Sequence, residues 1–502
     1  MLHGVLTHFF IRKMNRTLIN IRQGVTRHPD YRMAEPVNFT LAEGETLAIC
    51  GPNGGGKSLF VDILTGAHPL LGDAITYDFG GINGNRASDN VRQVNFRDVY
   101  GGSEPAYYQQ RWNQADEQVF PTVRQLLEQA WHAWHKGEEL PAEADVTRLP
   151  LIANLGVDEH AEKPINQLSS GELRRMQLAR MLMSSPQVLI IDNPYIGLDP
   201  QARDLLTQVL EQLSHSLTLV LVVSRSEDVP EFVSHMVYVD GRVVGQKLPA
   251  SAYAEIERQH LQQSETPITL PAAALIENEM PLKVIDFNHV NIRYGSRTIL
   301  KDLTWEVVSG EHWALQGQNG AGKSTLLSLV CADNPQAYAC DIRLFGKQRG
   351  RGESIWDIKK RIGYVSPEIY STYRKSLPAI DIVASGLRDT VGLYRKASAE
   401  EREVCMEWLR VFRAEGLAEQ NYLTLSSGQQ RLILLVRAFV KSPDLLILDE
   451  PFHGLDNATR LHAQRVIDQY MQNPEKTLIM VSHYDEEFPK CISSWLKIFK
   501  QK

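Results

Sequence analysis

TLAICGPNGGGKS, residues 46–58, decides the fold of this chain. A short apolar run with strand character leads into a glycine-rich loop, and the loop ends in Lys57-Ser58 where a second apolar run takes up helical spacing. Glycines let successive backbone N–H groups converge on one point, and the positive end of the following helix adds to their field, so a loop of this spacing forms a nest for phosphate oxygens. The candidate contacts are Gly51, Asn53, Gly54, Gly56 and Lys57, with Ser58 placed to ligate a magnesium ion beside the phosphates.

The loop occurs twice. GQNGAGKS, residues 317–324, repeats GPNGGGKS, and 266 residues separate Lys57 from Lys323. Three further motifs recur in the same order. LSSGE at 168–172 returns as LSSGQ at 425–429, and VLIIDNPYIGLDP returns as LLILDEPFHGLDN, with Asp192 and Asp449 257 residues apart. VVSRSED, with Arg225, returns as MVSHYDEE, with His483. Four motifs at nearly one offset mean a duplicated domain. The expected boundaries are 14–247 for the first copy, a linker at 248–281 with one short helix at Ala252–Gln262, and 282–502 for the second.

Length and composition agree with this division. A chain of 502 residues exceeds one domain, and 43% hydrophobic with 23% charged residues is ordinary for globular proteins. The balance of 53 basic against 60 acidic residues, a net charge of −7, gives no general drive toward nucleic acid. Five scattered cysteines without a CxxC pair suit a reducing cytosol. No apolar run approaches the ~20 residues that span a bilayer. The opening MLHGVLTHFFIRK lacks the sustained apolar core and cleavage site of a signal peptide, and Met14 reads as an alternative start.

The second candidate loop adds Gly317, Asn319, Gly320, Gly322, Lys323, Ser324 and Thr325. Asp192 and Asp449 each follow four apolar residues, the pattern of a buried parallel strand whose end carries an acid, and a carboxylate beside a phosphate loop can hold magnesium. Ser169, Gly171 and Glu172, like Ser426, Gly428 and Gln429, open helices, where a serine both caps the backbone and suits an anion. Trp131, His132, Trp134 and His135 have the spacing of residues packing one helix face rather than binding metal. For Tyr107, Tyr108 and Trp112, partner binding and ordinary packing both stay open.

Together these motifs resemble the ATP-binding cassette (ABC) ATPases, twice over, across nearly the whole chain. The resemblance implies an α/β fold: two P-loop cassettes, each a mixed, mostly parallel sheet flanked by helices, with an antiparallel edge region and a helical subdomain. It also implies ATP and Mg2+ as ligands, ATP hydrolysis, and closure of the two cassettes as an intramolecular pseudo-dimer. Each ATP would lie between one phosphate loop and the other cassette's LSSGE or LSSGQ signature. Site one would then join Lys57, Ser58, Asp192, Asn193 and Arg225 to Ser426, Gly428 and Gln429. Site two would join Lys323, Ser324, Asp449, Glu450 and His483 to Ser169, Gly171 and Glu172.

Glu450 matches the family's general base and His483 its switch histidine, whereas the first copy has Asn193 and Arg225 there. An amide cannot take a proton from water, so site one is expected to bind ATP and hydrolyse it slowly. Tyr294 matches the residue that stacks on adenine, with His28 at the equivalent spacing in copy one and Tyr31 nearby. The family's magnesium-coupling glutamine is missing: Pro367 and Glu368 stand in its region of copy two, and only Gln93 lies near in copy one.

Within the family, GESIWDIKKRIGYVS at 352–366 and the tandem layout most resemble the ModF-type ATPases associated with molybdate transport genes. That implies a role powering or regulating a transport system, with a membrane permease as partner and a cytoplasmic location at the inner face of the cell membrane. The alternative is a tandem ABC protein acting on a cytosolic macromolecule such as the ribosome, without a permease. The short linker, poor in Lys and Arg, lacks the long basic hairpin of that class.

Overall fold

The computed structural model describes residues 16–81, 84–96, 120–135, 145–150, 152–262, 267–272, 282–295, 297–318, 320–391 and 395–500. Met14, Tyr107, Tyr108, Trp112 and Asn319 lie outside the described residues. The chain divides into two compact units between Gln263 and Ser264.

In the first unit the strands lie in the order Val91–Asn95, Val188–Asp192, Thr218–Val222, Thr46–Cys50, His235–Asp240, Val243–Pro249. All neighbours but the last pair are parallel. The sequence explains this: TLAIC, VLIID and TLVLV are apolar throughout and buried at every residue, as strands covered on both faces must be. Val37–Ala42 instead alternates buried and exposed residues, and it belongs to a separate three-stranded antiparallel sheet with Thr17–Gly24 and Ile75–Tyr77.

Register places the chemistry. Asp192 pairs with Val222, and Ile49 pairs with the same residue, so the strands leading to the phosphate loop, to the acid and to Arg225 end at one edge of the sheet. Ligands collect at the carboxyl ends of such strands.

The second unit repeats the plan. Its parallel sheet runs Ile362–Val365, Leu445–Asp449, Thr477–Val481, His312–Gln316, Ser494–Lys497, with Asp449 and Leu315 both paired to Val481. Lys283–Tyr294 and Arg297–Val308 form a long hairpin in a four-stranded antiparallel sheet. The helices Ala379–Ser385, Ala399–Val411 and Ser427–Phe439 pack around fully buried Trp408, whose ring lies 5.3 Å from Phe439 and 5.9 Å from Tyr470.

The helix Ala252–Gln262, read from the sequence as part of the linker, packs onto the first unit. Tyr253 is 2% exposed in its core, and Glu257 accepts hydrogen bonds from the backbone and hydroxyl of Ser226. Farther on, Ile268 and Leu270 pack against the second unit's core. In the Val123–Trp134 helix, Trp131 stacks on His135 at 3.7 Å and Trp134 lies under Arg92 at 4.0 Å, so these aromatics pack. Among the described residues no cluster of three or more His, Cys, Asp or Glu side chains is placed to hold a metal, and no helix is long and apolar enough to cross a membrane. All five cysteines are free.

Candidate nucleotide-binding and hydrolysis sites

Both glycine loops adopt backbone conformations that side chains resist. Gly51, Gly54 and Gly56 have φ of 137°, 79° and 108°, and Gly320 and Gly322 have 76° and 109°. The loops also press against the next strand: a Cβ on Gly51 would come 2.1 Å from the Val239 carbonyl oxygen, and one on Gly317 would come 2.5 Å from that of Ile498. In each loop the lysine folds back over the chain. Lys57 Nζ donates to the carbonyls of Gly51 (2.6 Å) and Pro52 (2.9 Å), and Lys323 Nζ to those of Gly317 (2.5 Å) and Gln318 (3.3 Å). A cation is thus held inside each loop, where phosphate oxygens would converge.

Ser58 and Ser324 are exposed at the starts of the helices Lys57–Leu64 and Lys323–Val330. Thr325, in the first turn of the second of these helices, is 6% exposed. Asn53 braces the first loop, accepting a 3.1 Å bond from Ser224, the residue before Arg225.

The hairpin carrying Tyr294 is tied to the second loop, because Arg297 opposite it donates to the Gly320 carbonyl at 3.3 Å. The Tyr294 hydroxyl accepts from Asn334 at 3.0 Å. In the first unit Tyr31 stacks on His68 at 4.1 Å, with His28 5.0 Å away. Arg242 connects this cluster to the loop: its N–H donates to Gly55 and its side chain reaches the Asp30 carbonyl.

Each acid strand ends in the same backbone turn. Asn193 and Glu450 both have φ of 51°, and their N–H groups donate to Val222 and Val481 at 2.9 Å. Left-handed backbone suits asparagine, but for most other L-residues it costs roughly 1–2 kcal/mol. A glutamate held there against that cost points to function.

The side chains differ sharply. Asn193 donates to one oxygen of the Asp192 carboxylate at 2.7 Å. Glu450 is gripped by two imidazoles, with His483 Nε2 3.0 Å from Oε1 and His453 Nδ1 2.9 Å from Oε2. Burial alone would push its carboxyl up, but the charge and hydrogen bonding of His453 and His483 hold it well below the ordinary range. Glu450 is therefore an ionised acceptor. Asp449 goes the other way, pushed well above the ordinary range by burial and by the neighbouring charges of Glu450 and Glu368, with Lys323 opposing. A buried acid crowded by like charges beside an exposed serine hydroxyl is what a divalent cation would relieve, so the residues fit magnesium.

Arg225, at the histidine position of the first unit, is 8% exposed and attracts half-buried Asp228. It stays charged throughout the working pH range and cannot relay a proton. Each signature serine caps its helix in a reciprocal box. Ser169 pairs with Glu172 and Ser426 with Gln429. Burial opposes ionisation of Glu172, yet the Ser169 N–H, His160 and Lys163 bring its carboxyl below the usual value. Gln93 lies within its strand opposite Ile190, away from the strand end where a magnesium-coupling residue would sit.

Sequence reading missed two features. One is His453. The other is an arginine at the same step of both signature helices, buried in the first and half-buried in the second: Arg174 lies over Phe96 at 4.9 Å and Arg431 over Tyr370 at 4.5 Å. Arg431 lines a recess with Tyr370, Asp449 and Glu450. Their shared offset of 257 residues was the available signal.

The family model described as "ABC transporter" matches residues 34–196 and 300–453, together more than half of the chain. The chain belongs to this family. It is 34% identical over 507 aligned residues to the ABC transporter ATP-binding protein ModF of Escherichia coli (strain K12), covering 95% of this chain and 96% of that protein. It is also 28% identical to an uncharacterized ABC transporter ATP-binding protein of Schizosaccharomyces pombe, over 96% of each chain. Among solved structures, ribosome-bound archaeal ABCE1 (with Pelota) matches with a TM-score of 0.55 at 20% identity, over 92% of this chain and 73% of that one. An RNase-L inhibitor matches with a TM-score of 0.51 at 20% identity, over 95% and 87%. At that identity these two establish fold alone. The ABC chain is thus a tandem ATP-binding ATPase with a cassette in each unit.

Proposed function

We propose that the chain works as a pair of unequal ATP sites, each completed by the other cassette's signature, and that it powers or regulates a transport system. The observation that carries the inequality is the Glu450 carboxylate lying between two histidines, against Asn193 in the same turn of the first cassette. At site two, water polarised by Glu450 attacks the γ-phosphorus of ATP. The bond to the ADP oxygen breaks, and the water proton passes to the Glu450 carboxylate. Site one binds ATP through Lys57 and its glycine loop, and with Asn193 and Arg225 it turns over slowly.

Magnesium, held by Ser58 with Asp192 and by Ser324 with Asp449, would neutralise charge on the phosphates. The transport role and its permease partner are supported by the likeness to ModF over nearly the full length, and the molybdate link comes from the ModF-type resemblance alone.

The cross-cassette arrangement has a direct test. Ser169→Arg crowds the first cassette's signature, which serves site two, whereas Ser426→Arg crowds the one serving site one. Ser169→Arg is expected to cut steady-state ATPase at least ~10²-fold, the scale of losing one transition-state contact, and Ser426→Arg by far less. The reverse order of losses would contradict the pairing.

A further inference from the structure

Glu450 and Asn193 occupy the same turn, and its backbone is alike in both cassettes. The N–H three residues on returns to the carbonyl at 3.5 Å in each, from His453 to Glu450 and from Ile196 to Asn193. A second bond, Leu455 to Phe452 and Leu198 to Tyr195, closes the next step in both. The turn thus folds residue i+3 back beside residue i whatever the side chains are. What it brings back differs: an imidazole where residue i is glutamate, an isoleucine where it is asparagine. Within one chain, the two histidines and the glutamate are present together and absent together.

His453 is built into its place. Its side chain is 5% exposed, that of Glu450 13% and that of His483 6%. His453 Nδ1 stands 2.9 Å from one carboxylate oxygen and His483 Nε2 3.0 Å from the other. For Glu450 to address a water, one oxygen must come free, and a carboxylate on two flexible carbons then needs its other oxygen fixed.

We propose that His453 is a positioning residue for Glu450: its Nδ1 keeps hold of Oε2 when His483 leaves Oε1 for the nucleotide, so that Oε1 meets the attacking water in one orientation. This rests on Glu450 being the group that accepts the water proton. Cassette one, with Ile196, would lack the anchor as well as the base.

The test compares full-length His453→Ile, His453→Asn, Glu450→Gln and the double variant Glu450→Gln with His453→Ile. Isoleucine is the residue the same turn already carries in cassette one, and the asparagine amide nitrogen superposes on Nδ1. His453→Ile is expected to lower kcat ~10–100-fold with the ATP KM within about twofold, the scale of losing an orienting partner. His453→Asn should recover most of that loss, and His453→Ile should cost nothing further in the Glu450→Gln background. Thermal unfolding of His453→Asn, expected to match the parent, separates this from damage to the fold. An unchanged kcat in His453→Ile, or a His453→Asn as slow as His453→Ile, would overturn the proposal while leaving Glu450 as base. Full activity in Glu450→Gln would overturn both.

Discussion

Glu450→Gln lowers steady-state ATP hydrolysis by about 10²–10⁴-fold, the usual contribution of a positioned general base, while Asn193→Ala changes it by less than about threefold. The glutamine keeps the shape and removes the basic oxygen. ATP binding should persist in both variants, because the loops, Lys57 and Lys323 are untouched. Asn193 is already an amide, bonded to Asp192, and its loss removes no base. Comparable losses from the two substitutions, measured as phosphate release under saturating ATP, would show that both sites carry turnover and would sink the asymmetry.

Gly51→Ala is expected to damage the first cassette outright. Gly51 has φ of 137°, and the added methyl would meet a backbone oxygen at 2.1 Å. A backbone strand cannot step aside as a flexible side chain can, so the phosphate loop must distort. Strain at such a position is worth about 1–3 kcal/mol before any clash is counted. Gly44→Ala supplies the comparison: φ is 70° there and nothing lies within 4 Å of the added carbon, so only the conformational cost of about 1 kcal/mol applies. In denaturant unfolding, Gly51→Ala should lose at least 2 kcal/mol more than Gly44→Ala and should also lose ATP binding at the first loop. Equal losses would contradict the packing of loop against strand.

Much of this was legible in the sequence because it rests on local rules. Apolar runs such as VLIID and LLILD are buried along their whole length, as parallel strands require, and the glycine loops follow their strands directly. Register places Asp192 and Asp449 at the sheet edge where the phosphate-loop strands end. What stayed hidden depends on how the chain turns back on itself. In DEPFHGLD a histidine reads as one more loop residue, and only the left-handed turn at Glu450 swings it onto the carboxylate. Gln93, only near the coupling position in the sequence, lies inside a strand that runs on to Asn95. The helix Ala252–Gln262 was visible, yet its docking through Tyr253 and Glu257 depends on a surface assembled from distant segments.

The central claim is that one site turns over while the other holds ATP, and counting retained nucleotide tests it most directly. The full-length chain is loaded with radiolabelled ATP and Mg2+, freed of excess nucleotide, and quenched over time. One ADP per chain should form rapidly while one ATP per chain persists at least ~10²-fold longer, the interval set by the missing base at Asn193. Two ADP per chain appearing at one rate would contradict the account.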